Sequence, residues 1–215
     1  MIVNKGKIVD ASIVETRRQH NTHKENKDIK DGAIPDGWVK KPGKLRQKDT
    51  DARWTKKNDE SFFGYKNHVK IDKKKKFIDH YAVTDAATHD SIGGVDLLEE
   101  RDRGQTLHAD SEYAGAPFKS EVDKVGMVAR IHEKGTRGHP LKAAQKARNK
   151  VKSKIRARIE HVFGDITQRR KDMLIRSVGY IRACARIGLM NLTYNVCRFR
   201  YYRYPARVSC ANSEG

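Results

Sequence analysis

The sequence predicts an α/β domain built around one mixed sheet, and three observations carry that expectation. Five short apolar runs of strand length are separated by polar turns or by helix-length segments. The two longest periodic segments both lie in the last third of the chain and repeat at helical spacing. The order is strand, long polar stretch, hairpin, helix, strand, helix, strand, then two long helices, which is the alternation of an α/β fold.

Taken in order, Lys7 to Val14 is an apolar run interrupted by Asp10 and Ser12, and it reads as a strand buried on both faces. From residue 15 to about 60 the chain is polar and basic, with Gly32, Pro35, Gly37, Pro42 and Gly43 and no period, so a long basic loop is expected. Phe62 to Ile71 and Phe77 to Val83 are strands joined by Asp72 and four lysines as a hairpin. Thr88 to Arg103 fits a helix capped by Asp90 or Ser91. Gln105 to Asp110 and Met127 to Ile131 are the fourth and fifth strands, on either side of a helix from Pro117 to Lys124 that Gly126 closes. Leu141 to Gln168 is a long helix with Val151, Ile155, Ile159, Val162 and Ile166 as one stripe. A second runs from Val178 to Arg198, its apolar content Ile181, Ala185, Leu189, Leu192 and Val196. One domain over residues 1–204 and an unpatterned tail at 205–215 complete the division.

Composition narrows the partner. Lys and Arg number 46 against 27 Asp and Glu, a balance of +19 over 215 residues, which points to a polyanion and most simply to nucleic acid. No run reaches the ~18 apolar residues of a membrane span, and the first residues lack the apolar region of a signal peptide. Cys184, Cys197 and Cys210 are odd in number with no paired motif, which argues against a disulfide scaffold or zinc site and for a reducing, cytoplasmic setting.

Three acids stand out. Asp10 interrupts Ile8-Val9 and Ile13-Val14, where burying a carboxylate is costly unless a cation or several donors meet it. Asp110 ends the Thr106-Leu107-His108-Ala109 run, at the strand end where α/β sheets present ligand-binding groups. Glu160 is the only acid between Leu141 and Gly164, four residues after Arg156 on the same helix face. Such a set suits hard divalent ions near a phosphodiester, with no His or Cys required. The structural alternatives are a strand-edge Asp, a helix-capping Asp and a surface ion pair worth about 0.2–0.5 kcal/mol.

These residues carry a family resemblance. Lys7-Ile8-Val9-Asp10-Ala11-Ser12-Ile13 resembles the first catalytic Asp motif of bacterial insertion-sequence transposases of the DDE class, in particular the large IS-five group. Ala52 to Lys57 with Phe63 to His68, and Val83 to Ser91, resemble the blocks around their second and third strands. Ala109-Asp110-Ser111-Glu112-Tyr113-Ala114-Gly115 is similar to the second Asp motif, Arg156 to Gly164 to the Glu motif, and Met190-Asn191-Leu192 to the end of the domain. The blocks occur in order over roughly residues 5–200. The resemblance implies an RNase H-like fold with a five-stranded sheet, and two Mg²⁺ or Mn²⁺ ions held by Asp10, Asp110 and Glu160. It implies metal-dependent cleavage of double-stranded DNA at element ends and strand transfer into a target, by a homo-oligomer on DNA in the bacterial cytoplasm.

The basic residues Lys150, Lys152, Lys154, Arg156 and Arg158, and beyond the Glu motif Arg169, Arg170 and Lys171, are the expected DNA contacts. Two departures from the family pattern bear on them. Ser153 stands where the family has a Tyr, and Thr167 where it has a Lys. Only nine residues precede Asp10, where the family usually carries a DNA-binding region, so a truncated or frameshifted product is expected. The alternative function is accordingly a catalytically inactive DNA-binding remnant that modulates an intact transposase.

Overall fold

The computed structural model describes residues 6–169 and 174–204; Arg170, Lys171, Cys210 and the 205–215 tail lie outside the described residues. The expected class is the one observed, with a correction to the strand count. The sheet has six strands, not five: β1 (Lys7–Glu15), β2 (Arg53–Lys57), β3 (Glu60–Asp72), β4 (Ile78–Asp85), β5 (Thr106–Ala109) and β6 (Val128–Ile131). Their order is β2-β3-β1-β5-β6, with β4 also on β3. β3 is long enough to hold both neighbours on one edge: β2 pairs with its first residues and β4 with Tyr65 to Ile71. The other edge runs antiparallel to all of β1, from Lys7 opposite Asp72 to Glu15 opposite Gly64. Beyond β1, β5 and β6 are parallel to it in turn.

The stretch expected as a loop is the part most altered. It contains α1 (His23–Lys30), α2 (Asp36–Val39), α3 (Pro42–Leu45) and then β2. α1 begins with a capping box: the Glu25 amide donates to Thr22 Oγ1 at 3.2 Å and the Thr22 amide to Glu25 Oε2 at 2.8 Å. The Trp38 indole also donates to Glu25, and these bonds hold its carboxyl down at about 2. Trp38 is fully buried beneath the Lys44 and Lys48 ammonium groups, 5.6 and 5.2 Å from the ring. One aromatic and its hydrogen bonds order this segment, and they leave no periodic trace. β2 joins β3 through Asn58 and Asp59, both at positive φ, the two-residue turn that suits strand twist. At the next hairpin the Asp72 carboxylate accepts from the Lys74 and Lys75 amides, so the four-lysine turn is built on an acid.

Four helices cover the sheet. On one face lie α4 (Asp90–Val95) and α5 (Ala116–Val125), with a 3₁₀ turn at Glu100–Asp102 between them. The expected single helix from Thr88 to Arg103 is thus two pieces, and its cap is His89, whose ring accepts from the Ser91 amide. Val9, Leu107 and Ala109 meet Leu97, Tyr113, Phe118 and Val122 there. α6 (Ala143–Arg169) and α7 (Tyr180–Arg203) cover the other face, where Ile8, Val69 and Ile71 meet Ile159, Val162, Ile166, Met190 and Tyr194. α6 keeps its expected stripe, although Val151, in the projecting first half, is 63% exposed. α7 does not. Its buried row is Ala183, Ile187, Met190 and Tyr194, while Ile181, Leu189, Leu192 and Val196 face solvent. Asn191 explains the choice, because its amide and that of Asn67 on β3 exchange hydrogen bonds of 2.9 and 3.0 Å in the core.

Two outcomes follow for stability. Ile159→Ala should cost about 2–5 kcal/mol in urea unfolding, whereas Val151→Ala on the same helix should stay within about 0.5 kcal/mol. His68 on β3 is fully buried under Gly93, where a Cβ would stand 2.5–2.7 Å from the ring. Burial pushes that imidazole down to about 4, Asp90 and Asp96 opposing and Lys66 reinforcing the shift. The unfolded chain takes up a proton near 6.5 that the folded one refuses. Stability is therefore retained above that pH and falls as pH drops toward 4. His68→Gln should flatten that decline in melts recorded across the interval.

Candidate active site

The parallel pairing of β1 and β5 sets Ile8 opposite His108. Asp10 and Asp110 each lie two residues further on, and side chains two apart share a face. Both acids therefore emerge side by side at the carboxyl end of adjacent strands, on the face that α6 covers. Ile159, Val162 and Ile166 seat α6 there, and this brings Glu160 over the same edge. Asp10, Asp110 and Glu160 line one open cavity of about 860 Å³.

Each acid is held differently. Asp10 is 8% exposed; its Oδ1 accepts from the Ala11 amide at 2.9 Å. Burial pushes its carboxyl up to about 6, Arg156 and the Ala11 amide pulling it down, Asp110 and Asp90 adding to the rise. Asp110 caps the 3₁₀ turn Ser111–Tyr113 by accepting from the Glu112 amide at 2.8 Å. Glu160 is more exposed and meets Arg156. The cation that Asp10 needed is the same Arg156: Nη1 donates to Asp10 Oδ2 at 2.7 Å and Nη2 to Glu160 Oε1 at 2.8 Å. The guanidinium thus stands between two of the three acids.

Sequence reasoning passed over part of the wall. Asp90, taken as a helix cap, lines the cavity and pairs with Lys66 Nζ at 2.7 Å. Glu112 also lines it and is bonded by Lys134 at 3.0 Å. Lys56, Lys57 and Lys66 form basic walls from β2 and β3. All three lysines lay in blocks that carry the family resemblance, but nothing in the sequence singled them out.

The expected DNA contacts divide. Lys150 and Lys154 are exposed on α6. Lys152 donates to the Ile131 carbonyl at 2.7 Å, Arg158 to the Lys73 carbonyl at 2.7 Å, and Arg169 to Asp165 at 2.7 Å, so these three are tied to the protein. Ser153 Oγ lies 2.9 Å from His132 Nε2, whose Nδ1 is 3.0 Å from the Ala109 carbonyl. It ties α6 to the end of β5. Thr167 turns inward on its own helix and donates to the Phe163 carbonyl.

A second acidic group lies elsewhere. Among the described residues Asp79, Glu99 and Asp102 have carboxylate oxygens within 4.8 Å of one another, the spacing of a cation site. Lys7, Lys70 and Arg101 already occupy that position: Lys7 bonds Asp79 at 2.6 Å, Lys70 bonds Glu99 and Asp102, and Arg101 bonds Glu99 at 2.7 Å. Three cations against three acids make a neutral network, buried at Lys7, Lys70, Asp79 and Asp102 and open at Arg101, and we read it as structural. Asp10, Asp110 and Glu160 open instead on the cavity, and among the described residues no further group of three such side chains reaches the 4.8 Å spacing.

Comparison with known proteins places these residues in context. A family model described as Transposase DDE domain matches residues 4–196. The transposase for insertion sequence element IS1106 of Neisseria meningitidis serogroup B is 28% identical over 195 residues, 89% of this chain. The chain spans 64% of that relative's length. No solved structure matches.

Proposed function

The chain belongs to the transposase DDE domain family, and from that premise we propose that it cleaves DNA at the ends of an insertion sequence and joins the freed ends to target DNA. The observation that carries this reading is the convergence of Asp10, Asp110 and Glu160 on one cavity from two adjacent strands and a helix. The six-stranded mixed sheet with helices on both faces is the RNase H-like arrangement that the family implies.

In this reading Asp10, Asp110 and Glu160 hold two divalent ions, Mg²⁺ or Mn²⁺. Bound there, the ions supply an activated attacking oxygen and charge stabilisation for the leaving one. The remaining work falls to the chain's own groups. Lys56 and Lys57 line the same cavity and take the phosphodiester backbone as it enters, while Lys66 stays paired with Asp90. Lys150 and Lys154 extend the basic surface along α6. Phe62 and Phe163 complete the lining with apolar surface. Double-stranded DNA is the partner on both sides of the reaction, and pairing two ends calls for more than one copy of the chain. Among the described residues no helix is long and apolar enough to cross a membrane.

A second reading, DNA binding without cleavage, draws on Ser153 and Thr167. Both stand where the family has a longer side chain, and both are bonded to the protein. The two separate on one variant. Asp110→Asn should abolish Mn²⁺-dependent nicking and joining of a duplex carrying the element end, while gel-shift affinity measured without divalent ions stays within a few-fold. Equal activity in variant and wild type would overturn the ligand assignment, and binding with no Mn²⁺-dependent cleavage by the wild-type chain would favour the second reading. The surface contribution has its own measure. Lys154→Ala should weaken duplex binding equally across sequences and reduce the slope of log affinity against log salt by about 1.

A further inference from the structure

Among the described residues Arg156 is the one bonded to two of the three candidate ligands. Its two terminal nitrogens are divided between Asp10 on β1 and Glu160 on its own helix, at 2.7 and 2.8 Å. Two oxygens on one Mg²⁺ each lie about 2.1 Å from it, hence about 3 Å from each other. A guanidinium bonded to both carboxylates takes the oxygens that an ion would need and also neutralises them. The same cation is what makes a nearly buried Asp10 tolerable in the protein alone. A divalent ion binding to Asp10 and Glu160 therefore has to displace a bonded arginine.

The displaced side chain has a destination. Arg156 lines the cavity and is half-buried, on the helix that carries exposed Lys150 and Lys154. A guanidinium fork suits a phosphate as well as it suits carboxylates. We propose that Arg156 is a displaceable counter-ion that couples the two binding events: it closes the acids to divalent ions until a DNA phosphate takes it up. The inference rests on the reading of Asp10, Asp110 and Glu160 as ion ligands. Because coupling free energy is reciprocal, DNA then tightens the ions and the ions tighten DNA, both through one side chain.

The test is Mn²⁺ binding to the full chain, followed by the loss of the free-ion electron paramagnetic resonance signal, with and without a short duplex. In wild type, DNA should tighten Mn²⁺ by about tenfold or more, within the ordinary range of coupling between sites. Arg156→Gln should bind Mn²⁺ more tightly than wild type in the absence of DNA and should lose most of the DNA-dependent gain. Arg156→Lys, which keeps the charge but cannot span both acids, should fall between them; it also serves if the glutamine variant fails to fold, as judged by circular dichroism. Arg156→Gln binding Mn²⁺ no better than wild type without DNA, or keeping the full DNA-dependent gain, would overturn the proposal. Asp110→Asn separates this failure from that of the ligand reading. If it leaves Mn²⁺ binding unchanged, the ligands are wrong; if it weakens binding while Arg156→Gln changes nothing, only the coupling is wrong.

Discussion

Everything at the candidate site depends on one constraint: a carboxylate set into the central strand of a sheet has to be met by positive charge. Asp10 lies in β1, between β3 and β5, with burial already pushing its carboxyl up. The chain answers with α6, whose apolar row docks on Ile8, Val69 and Ile71 and delivers Arg156 to Asp10 and Glu160 together. Packing sets the position of the helix and electrostatics sets its register, since a slip of one residue would turn Arg156 away from the sheet. Asp110 needs no such device, because it sits at a strand end and spends one oxygen on a helical turn.

How much of this was legible follows from which forces leave a period. The five strands with apolar runs and the helices α5, α6 and α7 were readable to within a few residues, because burial of a face writes itself into spacing. β2 was not, because its residues Arg53 to Lys57 form a polar, largely exposed edge whose strand character comes from the Asn58-Asp59 turn and from β3. α1 to α3 were missed for a related reason: a capping box, one tryptophan and two lysines order them, and none of these repeats. α7 carries two apolar stripes, and periodicity cannot say which faces inward. The Asn67–Asn191 pair decides that, and such a pair is visible only when two distant segments are already side by side. At the site itself, Asp10, Asp110 and Glu160 were legible as anomalies and as motif matches. Asp90, Glu112 and Lys66 fell inside matching blocks but were not singled out, because their role comes from where the walls of the cavity meet.

The excess of positive charge is likewise not one property. Lys7 and Lys70 are almost wholly buried and neutralised by Asp79, Glu99 and Asp102, so they belong to the core. Arg158 and Lys152 brace the connection between α6 and the sheet through backbone carbonyls. What remains for a polyanion includes Lys57 at the cavity and the exposed Lys150 and Lys154 on α6. A composition of +19 named the class of partner; the paired and unpaired positions decide where such a partner can sit.

The outward row on α7 has a practical corollary. Ile181, Leu189, Leu192, Val196 and Phe199 are between 49 and 83% exposed, and the helix from Tyr180 to Arg203 contains no acid. At low ionic strength the net charge keeps copies of the chain apart, since repulsion reaches across a screening length of about 10 Å at 0.1 M salt. Concentrated salt, the usual means of stripping nucleic acid from so basic a protein, shortens that length to about 3 Å at 1 M and strengthens apolar attraction. A condition that strips a bound polyanion is thus also the one in which these rows would find each other. Colloidal behaviour and salt concentration are linked through a single helix face.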